Sequence, residues 1–201
     1  MSLTAYGADA ALTGAIEKMK FANLFSSVTK APTSNTAIAA SLINMTGSEA
    51  AGWTNGKMVY IKALTGAITN ILPKRTYFIV GMTANGFELA EEEGGVAIKV
   101  EGHILETATT EFQLLKEINA TGKRFATKFK AVTLRTTEDE NKPEITVPAA
   151  TTVTHAGWFD NETIAAGKCH AVEALTEAET FAAEGKFTLS SDKLESSKTV
   201  A

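Results

Sequence analysis

The sequence predicts a mainly β chain. The expected architecture is an antiparallel, jelly-roll-like β-sandwich carrying a small inserted β-barrel module, preceded by a short N-terminal helix. Three observations lead there. Turn signals recur about every eight to twelve residues from Asn55-Gly56 onward. The segments between them are rich in β-branched and aromatic residues. The last third of the chain alternates polar and apolar positions, as half-buried strands do.

The N-terminal element is the exception. Asp9 is placed to cap a helix, and Leu12, Ile16, Met19 and Leu24-Phe25 fall near helical spacing in an Ala-, Glu- and Lys-rich stretch. Lys30 to Thr36 is a loop by composition, and the apolar run Ala37–Ile43 is too short to assign to strand or helix. Residues 1–54 are therefore expected to form a segment with a helix and an extended arm.

The next expected unit is a small β-module over residues 55–101. Lys57–Leu64, Thr76–Gly81, Phe87–Ala90 and Val96–Val100 read as four strands, separated by Pro73-Lys74-Arg75, Ala84-Asn85-Gly86 and Gly94-Gly95. Residues 102–201 are expected to supply the remaining strands of the sandwich. Thr110–Phe129 reads as strand, turn, strand, although Phe112, Leu114, Leu115 and Ile118 also fit a helical turn. Thr136–Pro143 is a polar loop. Ile145 and Val147, then Thr151–Phe159, then Lys168–Leu175 read as strands, and Phe187, Leu189 and Leu194 close the domain. The tail Ser196–Ala201 is expected to need a partner to hold it.

Composition narrows the function classes. The chain has 201 residues and a net charge of −4, and its basic residues are scattered rather than gathered on one face, which argues against nucleic-acid binding. No apolar run approaches the roughly 20 residues of a membrane span. The opening Met1-Ser2-Leu3-Thr4-Ala5-Tyr6 lacks the basic-then-apolar plan of a secretory leader, so synthesis and residence in a cytoplasm are expected until assembly or lysis. One cysteine, Cys169, provides neither an internal disulfide nor an all-cysteine metal site.

Catalytic candidates are thin. There is no phosphate-binding glycine loop, nucleophile elbow or HExxH motif. Cys169-His170 is the one sequence-local pair, but neighbours on a strand point to opposite faces. His155 lies on an expected half-buried strand, and His103 at a turn or edge. Glu91-Glu92-Glu93 lacks the spaced acids and glycine of a calcium loop, so it reads as a solvated turn. No catalytic residue, cofactor or metal is therefore expected. The aromatics Trp53, Trp158 and Phe159 are candidate partner-contact residues, with core filling as the plainer reading. Trp158 and Phe159 should point to opposite faces, leaving one of them available to a partner.

Two stretches resemble known families. Leu72-Pro73, Thr76-Tyr77-Phe78-Ile79-Val80, Asn85-Gly86-Phe87-Glu88-Leu89-Ala90 and Gly94-Gly95-Val96-Ala97-Ile98 together resemble an FCCH-like β-module that recurs in phage structural proteins. Ile145-Thr146-Val147-Pro148, Val153-Thr154-His155-Ala156-Gly157-Trp158-Phe159-Asp160 and Phe181–Leu189 resemble the C-terminal half of tailed-bacteriophage β-sandwich proteins, known as head decoration or tail-fibre proteins. Residues 161–167 are longer and poorer in glycine than the hairpin usual at that place. The resemblance implies a structural virion protein, assembled in the host cytoplasm and without enzymatic activity. The first expectation is a capsid decoration or cement protein that binds the major capsid protein and neighbouring copies of itself as a homo-oligomer, with neither nucleic acid nor membrane as partner. A tail or fibre-base protein, and a receptor- or carbohydrate-binding β-sandwich, are the alternatives.

Overall fold

The computed structural model describes residues 12–32, 41–45, 52–104, 110–118, 120–132, 136–164, 166–189 and 193–195. The Asp9 cap, the loop at 33–36, the apolar residues 37–40 and the C-terminal tail lie outside them. The described chain is mainly β and antiparallel. Its strands are β1 (Phe21–Lys30), β2 (Ile43–Asn44), β3 (Met58–Ala63), β4 (Gly66–Thr69), β5 (Arg75–Thr83), β6 (Gly86–Ala90), β7 (Glu101–Ile104), β8 (Glu111–Glu117), β9 (Phe125–Ala126), β10 (Thr136–Glu138), β11 (Glu144–Val147), β12 (Thr151–Phe159), β13 (Cys169–Phe181), β14 (Gly185–Thr188) and β15 (Lys193–Glu195).

The N-terminal helix is a single turn over residues 12–16. Leu24 and Phe25, which helical spacing had joined to it, lie on β1. Four consecutive β1 residues, 22–25, are buried. A strand covered on both faces loses its alternation, and its apolar run then imitates a helix.

The chain forms two compact units. One comprises Ser27–Lys116, the other the described residues up to Ser26 and from Glu117 onward. In the first, the strand order is β8-β3-β5-β6-β2, with the end of β1 beside β8. Register explains its core. Val59 pairs with Tyr77 on one side and Leu114 on the other, Ile61 with Phe112, and Ile79 with Leu89. Cross-strand partners share a face, so these side chains form one apolar surface. Trp53 stacks on Phe87 at 5.6 Å, and Phe87 meets Phe112 edge-on at 6.1 Å. The ribbon β4–β7 packs Ile68 against the same cluster. Residues 96–100, expected as a strand, are not one. Val96 is 92% exposed, while Ile98 and Val100 reach the core from irregular chain. The sheet among the described residues is open rather than closed as a barrel.

In the second unit the order is β13-β12-β1, with β9 also on β1. The β11–β14 ribbon packs Ile145, Val147 and Phe187 against Leu24, Val153 and Trp158. That is the two-layer packing of a β-sandwich. A second ribbon joins β10 to β15.

Candidate functional site

Strand β12 organises the second unit. Its pairing with β1 places Ala22 opposite Trp158 and Leu24 opposite Ala156, and these four belong to the sandwich core. The alternate partners, Phe21 with Phe159, Asn23 with Gly157 and Phe25 with His155, occupy the other face. Trp158 and Phe159 do point to opposite faces. Neither is exposed, however, at 2% each, because the second face is also covered. Residues 155–159 are all buried.

Arg124 supplies that cover. Its guanidinium lies 3.6 Å from the Phe159 ring centroid, a cation–π contact out of water. Nε and Nη2 donate to the two carboxylate oxygens of Glu117 at 2.7 and 3.0 Å. Nη1 donates to the carbonyls of Asn161 and Ala166 at 2.9 and 2.6 Å. Asn23 Nδ2 donates to Glu117 and to the Ile118 carbonyl, both at 2.9 Å. A buried charge is tolerable only when paired and hydrogen-bonded in this way. The network fixes the β12–β13 connection from beneath, while Asp160 Oδ1 accepts the Lys168 amide at 2.7 Å and closes the loop on itself.

The cysteine–histidine pair does not form a dyad. Cys169 Sγ donates to the Ala171 carbonyl. Burial, then the nearby Glu117 charge, pushes its thiol up to about 12, so at neutral pH it carries almost no thiolate. His170 turns elsewhere. One step on β12, from Trp158 to Phe159, spans two on β13, from Ala171 to Cys169, which makes His170 the extra residue of a bulge. Its Nε2 lies 3.3 Å from Asp160 Oδ2. The amide of Lys168, ahead of the His170 contact, holds the Asp160 carboxyl below its usual range. His170 borders an open cleft of about 550 Å³ with Gly14, Ala15, Glu17, Lys18 and Met19. Among the described residues no group of three or more His, Cys, Asp or Glu side chains is placed to hold a metal ion.

His155 is a core residue. The Thr154 hydroxyl donates its one proton to the Phe25 carbonyl at 3.2 Å, so His155 Nδ1, 2.9 Å from that hydroxyl, is the donor between them. Burial lowers the imidazole from 6.5 to about 4. His103 lies on β7, which pairs only with β4 among the described strands. Glu91-Glu92-Glu93 is an exposed turn. Trp53, the third aromatic considered as a partner contact, is fully enclosed in the other unit, where stacking on Phe87 accounts for its place.

Strand β13 is the long edge. Among the described strands only β12 pairs with it. Glu173 and residues 176–180 are exposed. A second irregularity lies between Val153↔Glu179 and His155↔Ala174, where two steps on β12 face five on β13. Sequence reasoning missed Arg124, one of the basic residues that it read as scattered. The alternating Lys123-Arg124…Lys128…Lys130 run gives no sign that one of its charges turns inward to partners 7, 37 and 42 residues away.

Residues 103–197 match a family model described as Podophage GP4 fiber I protein gp80. The matched segment is just under half of the chain and runs from within β7 to just past β15. No curated protein and no solved structure matches the chain. Together with the antiparallel β fold, the family match supports a structural protein of a phage virion.

Proposed function

We propose that the chain is a tail or fibre structural protein of a phage, and that it acts by association rather than by catalysis. The observation that carries this reading is the match of residues 103–197 to a fibre protein family. The match favours the tail and fibre alternative over the capsid decoration role that stood first among the sequence expectations. Its neighbours in the particle would be other copies of itself and adjoining virion proteins, with no cofactor involved. The buried Arg124–Glu117 pair suits such a role, because it holds a surface loop in one shape. The carbohydrate-binding alternative needs an exposed aromatic beside Asp160 and Asn161, and both Trp158 and Phe159 are enclosed.

The test is fractionation of purified particles into heads and tails, with the chain quantified in each by mass spectrometry. Enrichment with tails is the expected result. Co-fractionation with heads at a fixed ratio to the major capsid protein would restore the decoration reading.

A further inference from the structure

We propose that the edge of β13 is guarded against strand pairing with a second copy of the chain, so that copies associate through other surfaces. An edge strand exposes a row of backbone donors and acceptors, which is a template for pairing unless something blocks it. At thirteen residues, β13 is the longest of the described strands, and among them only β12 pairs with it. It is therefore the place where two copies would most readily add edge to edge.

Two features oppose that addition. The first is charge. Glu173, Glu177 and Glu179 lie on β13 without any lysine or arginine on the strand, and the facing β12 has no basic residue apart from the neutral, buried His155. Five other glutamates of the same unit are matched, Glu117 by Arg124, Glu138 by Lys130, Glu140 by Lys128, Glu144 by Lys186 and Glu162 by Lys123. No ion pair is found for the three on β13 among the described residues. A two-fold antiparallel pairing centred on residue 175, 176, 177 or 178 sets Glu173 against Glu177, Glu173 against Glu179, Glu177 against itself, or Glu177 against Glu179. A parallel, in-register pairing sets each glutamate beside its own copy. Like charges directly opposite destabilise strand pairing.

The second feature is shape. The three surplus residues between Ala174 and Glu179 break the strand into two short regular stretches. A bulge of this kind bends an edge away from a flat partner.

The test compares the intact chain with the triple variant Glu173→Thr, Glu177→Thr, Glu179→Thr. The control is Glu91→Thr, Glu92→Thr, Glu93→Thr, which removes the same net charge from an exposed turn elsewhere. Sedimentation over a concentration series reads association, and amide hydrogen exchange reads where it occurs. The β13 variant should associate at a concentration on the order of tenfold lower than the natural chain or the control, with new protection on residues 171–181. For the natural chain, raising salt to about 1 M shortens the Debye length to about 3 Å and should promote the same association, which keeps the test open if the variant does not fold. The proposal is overturned if the natural chain already shows concentration-dependent protection on β13. It is also overturned if the control associates equally, or if neither the variant nor high salt changes association.

Discussion

The guanidinium of Arg124 donates to Glu117 through two nitrogens and to the carbonyls of Asn161 and Ala166 through the third. Shortening it leaves a carboxylate and two carbonyls short of donors in a place with little water. Arg124→Ala should therefore destabilise the unit by about 3–5 kcal/mol, read as loss of amide-exchange protection on β9 and β12. Arg124→Lys should rescue little, because a point charge does not reproduce the fork. The double variant Arg124→Met, Glu117→Met should cost less than the sum of its single changes, since it leaves no unpaired charge behind. His155 sets a pH dependence. Its folded pKa of about 4 lies below the ordinary 6.5, so the unfolded chain binds the extra proton. Stability from this group is complete above about pH 6.5 and falls away as the pH drops towards 4. A chain with His155→Gln should show a shallower loss of stability across that window in urea titrations at stepped pH.

At the scale of elements, β12 is confined by the close approach of β1. A Cβ at Gly157 would lie 2.5 Å from the Phe25 ring, and that ring is enclosed against Phe159 at 6.0 Å. Gly157→Ala should cost about 1–3 kcal/mol by overpacking, measurable by thermal unfolding. The strands with clean alternation were legible in the sequence: β5 and β6 meet at Thr83–Gly86, where Asn85-Gly86 announced a turn, and β11 and β12 fall where Ile145, Val147 and Thr151–Phe159 placed them. β1, whose apolar residues do not alternate cleanly, was less so. It read as an extension of the helix, and one of Trp158 and Phe159 read as available to a partner because the Arg124 cover comes from residues distant in sequence. Val96–Val100 has strand composition, yet it meets β6 through the Ile98 amide and the Leu89 carbonyl without forming a ladder, so propensity alone misplaced it.

At the scale of the whole molecule, the family match spans residues 103–197, which holds every described strand of the second unit from β9 to β15. This is also where the buried ionic network and the acidic edge of β13 are found. The sequence resemblance over Ile145–Leu189 falls inside the same segment. Fold does not by itself imply function, so the choice of tail over head rests on the family match. The most direct measurement is electron microscopy of intact particles labelled with a gold-conjugated antibody raised against this chain. Gold confined to the tail and its fibres is the predicted result; gold distributed over the capsid surface would contradict it.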